Sequence, residues 1–79
     1  MISSRQIKAA RYLLDWTAQD LSIRSEVSVV TVRRYELAGG IPDGRVGPLM
    51  KIKHTLEEAG IEFLGDPITS PGVRLHPKG

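Results

Sequence analysis

Cysteine is absent from this chain of 79 residues, and the absence removes several classes of protein. Disulfide cross-links, thiolate zinc sites, iron–sulfur clusters and cysteine nucleophiles all need a thiol, and a chain without one suits a reducing compartment. Long apolar runs are also missing, so the sequence predicts no membrane span. No apolar segment follows Arg5 and Lys8 to form a secretory signal. We therefore expect a cytoplasmic protein.

The length allows one domain, residues 1–79, and leaves no room for a second core. Hydrophobic residues make up 41% of the chain and charged residues 25%, which are ordinary values for a folded protein. A domain of this size buries a small share of its surface, so its stability alone is expected to be marginal. Association with a second subunit would add to that stability.

Charge is small in total and uneven in place. The net charge is +2, but residues 1–35 carry six basic side chains against three acidic ones, whereas residues 36–79 carry five against six. The sequence pI is about 9.3. This distribution favours a polyanionic partner that meets the first half of the chain.

Helical periodicity and capping signals predict four helices, at about residues 4–14, 17–24, 29–38 and 48–59. Gln6 follows Ser3, and Asp20 follows Thr17, at the spacing of a capping box. Ser28 is a suitable N-cap for the third helix. Residues 39–48 contain four glycines and two prolines, which predicts a loop, with Pro48 in the first turn of the fourth helix.

Alternating apolar and charged residues at 61–63 and 73–75 predict a short β-hairpin spanning about residues 61–75. An isolated two-stranded hairpin is barely stable in water. It must therefore lie on the helices or pair with a strand of another chain. We expect residues 76–79 to be a frayed end.

Two short helices joined by a tight turn, at about residues 17–38, have the spacing of a helix-turn-helix. Residues 16–36 contain Trp-Thr, then Asp-Leu, then Val-Ser at the turn, an aliphatic residue four positions later, and Glu near the end of the second helix. This pattern resembles the DNA-binding regulators of the lambda-repressor and Cro-like, or xenobiotic-response-element, family of bacteria and phages. The resemblance extends to the hairpin, as in small bacterial members. It implies a mainly α, four-helix lambda-repressor-like domain that ends in a β-hairpin.

Three residues depart from the pattern of this family. Ala18 stands where the family often has a glutamine that braces a phosphate contact, and Ser22 replaces an alanine at the helix crossing. Glu26 replaces a glycine of the turn. A left-handed backbone at Glu26 would cost about 1–2 kcal/mol relative to glycine, and the alternative is a variant turn.

The third helix offers a face suited to reading DNA. Val32 and Tyr35 belong to its inward side, together with Val27 and Leu21 of the preceding segment. Arginine can bond both acceptors of guanine, and valine can contact a thymine methyl group. The predicted base-reading residues are Val29, Val30 and Arg34, and the predicted phosphate contacts are Thr17, Gln19, Ser28, Arg33 and Arg45.

Simpler roles exist for the same residues. Val29 and Val30 are core residues in the alternative interpretation, and Arg33 and Arg34 form a solvated pair. Trp16 is interpreted as a core residue at the junction of the first two helices. His54 and His76 have no partner at catalytic or metal-ligand spacing, so the sequence predicts no catalytic residue, metal or cofactor.

The leading hypothesis is a sequence-specific transcriptional regulator, a repressor that binds an inverted repeat in double-stranded DNA as a homodimer. The hairpin is the expected dimer element, through its edge strands. An antitoxin-like or adaptor protein, whose main partner is another protein, is the alternative. No small-molecule ligand is indicated, and the operator sequence and the sign of regulation cannot be read from the residues.

Overall fold

Residues 1–77 are described by a computed structural model, which contains four helices followed by one antiparallel hairpin. The helices and strands are α1 (Ser4–Leu13), α2 (Ala18–Ser25), α3 (Val29–Leu37), α4 (Val46–Glu58), β1 (Ile61–Leu64) and β2 (Gly72–Leu75). The predicted mainly helical domain with a C-terminal hairpin is confirmed. No helix among these residues is long and apolar enough to cross a membrane.

Local side-chain hydrogen bonds determine where α1 and α2 begin. Ser3 Oγ accepts from the Gln6 amide at 3.3 Å, and Gln6 Oε1 accepts from the Ser3 amide at 3.0 Å. Thr17 and Asp20 exchange the equivalent pair of bonds, at 3.0 and 2.9 Å. Both predicted capping boxes are confirmed, so these helix starts depend on residues within one turn.

The start of α4 differs from the prediction. The helix begins at Val46, after Arg45, so the last three residues of the predicted loop 39–48 are helical. Pro48 is the third residue of the helix, where an amide N–H would have no intrahelical acceptor. Its missing donor is therefore tolerated, and the first turn of α4 forms despite Gly47 and Pro48.

All four helices and β1 contribute to one hydrophobic core. Leu21, Val27, Val32 and Tyr35 are buried there, which confirms the predicted inward face of α3. Trp16 is partly buried against the same core, as expected for the junction of α1 and α2. The other core residues are Ile2, Ile7, Ala10, Leu49, Ile52, Leu56 and Ile61.

The hairpin lies on the helices. Ile61 pairs with Leu75 and Phe63 with Val73, and these four side chains belong to the core or pack against it. Gln6 Nε2 donates to the carbonyl oxygens of the facing pair Leu64 and Gly72, at 3.2 and 3.1 Å. The predicted packing of the hairpin on the helices of its own chain is therefore confirmed.

Pairing of the two strands continues one step beyond β2. The His76 amide donates to the Gly60 carbonyl oxygen at 2.8 Å, and His76 Nε2 lies 2.7 Å from Glu62 Oε1. The prediction of a frayed end is therefore wrong at His76, because a main-chain bond and a side-chain contact hold it. Residues 78 and 79 lie outside the described part of the chain.

Candidate nucleic-acid interface

The outer face of α3 carries most of the side chains predicted to contact bases. Val30 is 72% exposed, Leu37 is 81% exposed, and Arg33 and Arg34 are exposed as well. Val29, the first residue of the helix, is half-buried and lies outside the hydrophobic core. The interpretation of Val30 as a core residue is therefore wrong, because α3 already buries Val32 and Tyr35 on its other side.

The N-terminus of α3 is organised by Ser28. Its Oγ accepts from the Thr31 amide at 3.2 Å and donates to Thr31 Oγ1 at 3.0 Å. This confirms Ser28 as the N-cap. The first amides of any helix have no intrahelical acceptor, so those of Val29 and Val30, which Ser28 Oγ does not cap, can donate to an anion such as phosphate.

A cleft of about 440 Å³ separates the start of α3 from the start of α4. Ser28 and Arg45, two of the predicted phosphate contacts, both line it. Lys51, one turn into α4, lines the cleft as well. The walls therefore combine two basic side chains and the N-termini of two helices, which attract anions, with one opposing carboxylate, that of Glu26.

Thr17 and Gln19 lie apart from this cleft, at the start of α2. The Thr17 hydroxyl caps that helix, and the Asp20 carboxylate accepts from the Thr17 amide. The hydrogen bond from the Thr17 main chain, above all, holds the pKa of Asp20 below its usual value. Asp20 is consequently a carboxylate at this helix start, and it opposes the approach of phosphate there.

A second depression, of about 840 Å³, runs beside α3 towards the loop that follows it. Arg33 and Arg34 both line it, together with Val30 and Leu37. Asp43 of the loop is the acidic residue on its wall. The structure thus brings the predicted base-reading Arg34 and the predicted phosphate-binding Arg33 to one mixed apolar and basic surface.

The basic side chains that line these two depressions are not paired with carboxylates in the described part of the chain. Within residues 1–77, none of Arg33, Arg34, Arg45 and Lys51 forms an ion pair. The guanidinium of Arg34 lies 5.7 Å from the centre of the Tyr35 ring. Among residues 1–77, the acidic side chains that line the same depressions are the exposed Glu26 and Asp43, so the surface keeps a local positive charge.

A buried ion pair supports α3 from behind. Arg11 of α1 donates two parallel hydrogen bonds to the Glu36 carboxylate, at 2.8 and 2.9 Å. It also donates to the Trp16 carbonyl oxygen at 2.9 Å. The bond to Glu36, more than any other contact, raises the pKa of Arg11. One guanidinium thereby joins α1, the segment after it and the end of α3.

The sequence did not assign a role to Lys51 or Arg11. Lys51 was visible only as a basic residue off the buried face of α4, and its place in the cleft depends on how α4 packs beside the turn. Arg11 and Glu36 are 25 residues apart, so no local spacing could pair them.

Of the two conformations expected for the turn between α2 and α3, the structure has the one with a left-handed backbone at Glu26. Glu26 adopts φ 61° and ψ 29° as the C-cap of α2. The variant turn is therefore not needed, and the chain accepts a residue other than glycine in this conformation.

Among residues 1–77, no group of three or more His, Asp or Glu side chains is arranged to hold a metal ion. Comparison with protein-family models and with curated proteins gave no match for this chain.

Proposed function

We propose that this chain is a sequence-specific DNA-binding transcriptional regulator, a repressor that places α3 in the major groove. The observation that carries the proposal is the outer face of α3, where Val30, Arg33 and Arg34 stand exposed beside a basic cleft. A helix with exposed arginine and valine can read guanine acceptors and thymine methyl groups. Such a regulator acts on cytoplasmic DNA.

The proposed contacts divide into two kinds. Val30 and the half-buried Val29 read base edges, because the N-terminal part of a recognition helix lies deepest in the groove. Arg34 lies in the last turn of α3, and its long side chain is proposed to reach a base edge from there. Arg33, Ser28 and Arg45 hold phosphates, and Thr17 and Gln19 contribute weaker phosphate contacts from α2. Lys51 is added to the phosphate set because it lines the same cleft as Ser28 and Arg45.

A homodimer would supply the remaining specificity. One helix covers only a few base pairs, whereas a two-fold pair of helices about 34 Å apart reads both halves of an inverted repeat. In an antiparallel pair of strands, residues that hydrogen-bond to the neighbouring strand alternate with residues whose main-chain groups point outwards. Because the His76 amide bonds to the Gly60 carbonyl oxygen, the main-chain N–H and C=O groups of Val73 and Leu75 point away from β1. This outer edge of β2 is the proposed site of pairing between two copies.

The direct test is selection of bound sequences from a random pool of double-stranded DNA. We expect an enriched inverted repeat with half-sites one helical turn apart, and binding that weakens steeply as salt is raised. Sedimentation of the protein with the selected DNA should give two chains per site. Recovery of unselected sequences at every salt concentration would contradict the proposal.

A second candidate function is an antitoxin-like or adaptor role, in which another protein is the main partner. The observation in its favour is the apolar part of the depression beside α3, where Leu37 is 81% exposed. Large exposed apolar side chains often mark protein contacts. A gel-shift titration on random oligonucleotides separates the two functions, because an adaptor shows no salt-sensitive selection of a sequence.

A further inference from the structure

The turn between α2 and α3 is held by the side chain of Ser22, which lies five residues before Val27 of the turn. The Ser22 hydroxyl, in the middle of α2, donates to the Val27 carbonyl oxygen at 2.6 Å. No other group within residues 1–77 donates to that carbonyl. The Val27 side chain is itself buried in the core, so the residue is fixed by packing on one side and by Ser22 on the other.

The same turn contains backbone strain. Glu26 adopts a positive φ of 61°, a conformation that is unfavourable for residues with a side chain. Its carboxylate forms no hydrogen bond or ion pair with any residue from 1 to 77 that could offset this strain. Without contacts that hold the turn, the backbone at Glu26 would therefore move towards a negative φ.

The direction of α3 depends on this carbonyl. The Val27 carbonyl and the Ser28 amide belong to one planar peptide group, so fixing the oxygen also fixes how the chain reaches Ser28. Ser28 in turn caps α3 through the Thr31 amide. A continuous path of bonds thus leads from Ser22 to the first turn of α3.

We propose that Ser22 is a positioning residue for α3, which prevents the strained turn at Glu26 from relaxing by holding the Val27 carbonyl. The inference rests on the DNA-reading function proposed above. Val29 and Val30 follow the cap directly, so a small rotation of this peptide group would move them relative to a base edge. Ser22 therefore determines sequence discrimination without touching DNA.

The test compares Ser22→Ala with the unaltered chain on the selected operator and on operators that carry one changed base pair beneath Val29 or Val30. We expect the ratio of the two affinities to fall about fivefold, which is about 1 kcal/mol of discrimination. The salt dependence should stay unchanged, because no phosphate contact is lost. Ser22→Thr, which keeps the hydroxyl, should retain the ratio.

Glu26→Gly added to Ser22→Ala should restore the discrimination, because glycine adopts a positive φ without strain and the turn then has no reason to relax. Glu26→Gln is the matched control: it removes the same charge but keeps the strain, so it should not restore the ratio. Ser25→Ala is the control for a lost hydroxyl. Its Oγ donates to the Leu21 carbonyl at 2.7 Å, entirely within α2, and the ratio should not change.

Four outcomes would overturn the positioning role. They are an unchanged ratio in Ser22→Ala, an equal loss on all sequences, a loss in Ser22→Thr as large as in Ser22→Ala, and a failure of Glu26→Gly to restore discrimination.

Nuclear magnetic resonance of the free protein tests the turn separately. Ser22→Ala should shift the amide signals of residues 27–31, and the double variant should reverse the shift. If the unaltered chain selects no DNA sequence, the proposed function fails, whether or not these signals move.

Discussion

The surface formed by α3 and the start of α4 differs from the surface formed by the end of α4 and the hairpin in how it uses charge. On the first surface, Arg33, Arg34, Arg45 and Lys51 have no ion-pair partner within residues 1–77. On the second, Lys53 pairs with Glu57 at 3.0 Å, His54 lies 3.1 Å from Glu58, and Glu62 lies 3.7 Å from Arg74.

This difference separates charges that are available to a partner from charges that are satisfied locally. A basic side chain already paired with a carboxylate must give up that contact before it binds phosphate, whereas an unpaired one need not. The total charge of +2 hides this contrast, because it averages over both surfaces. The following experiments test whether the unpaired surface is functional and the paired one only structural.

The largest effect is expected at the ion pair beneath α3. Glu36→Ala leaves the guanidinium of Arg11 without its carboxylate in a site where the two side chains are only 11% and 7% exposed. Removal of one partner from a fully buried pair costs roughly 3–5 kcal/mol, and we expect the lower end of this range because the Arg11–Glu36 pair is partly buried. Urea or thermal unfolding should therefore show a large loss of stability.

Glu57→Ala is the control for the buried pair, since it breaks the exposed pair with Lys53. An exposed pair of this kind contributes at most about 0.5 kcal/mol. Equal losses in the two variants would show that the pair beneath α3 is no more important than a surface contact.

The next effect concerns how Arg34 and Arg33 divide their roles. Arg34→Ala should cost about 1–3 kcal/mol on the selected operator and relax the preference at one base position. Arg33→Ala should weaken binding to all sequences alike and reduce the slope of affinity against salt by about one unit. Fluorescence anisotropy on specific and random DNA, at several salt concentrations, measures both. Equal losses on both kinds of DNA in both variants would refute the assignment.

A smaller effect distinguishes two lysines of the same helix. Lys51 lines the cleft beside Ser28, whereas Lys53 is paired with Glu57. Lys51→Ala should reduce the salt dependence of DNA binding by about one counterion, and Lys53→Ala should change it less. The two variants remove the same charge, so the change in slope reports position alone. A larger change for Lys53→Ala would reverse the comparison of the two surfaces.

The sequence was most informative where structure depends on neighbours in the chain. The capping boxes of Ser3 and Thr17, and the cap at Ser28, need residues only three positions away. The inward face of α3 followed from the spacing of Val32 and Tyr35. Pro48 lies in the first turn of α4 as predicted, but the helix begins two residues earlier, at Val46, because proline is tolerated at the third helical position as well as at the first.

Contacts between distant segments could not be obtained in the same way. Arg11 meets Glu36, and Gln6 donates to carbonyls of both hairpin strands, only because the core brings α1 against α3 and β2. The cleft that contains Lys51 likewise depends on the packing of α4. Periodicity identified which face of a helix is exposed, but it could not show which exposed charges find partners.

The smallest effect is expected on the paired surface, at Glu62. The side-chain hydrogen bond with His76, above all, holds the pKa of this carboxyl below its usual value. A carboxyl with a lowered pKa in the folded state stabilises the protein above its unfolded pKa, and this stabilisation is lost as pH falls through the folded pKa. Glu62→Gln should therefore flatten the decline of stability on acidification below about pH 4.5, measured by thermal unfolding at a series of pH values. Because Glu62 lies on the paired surface, the same variant should leave the salt dependence of DNA binding unchanged. A change in that dependence would mean that the hairpin face also approaches DNA.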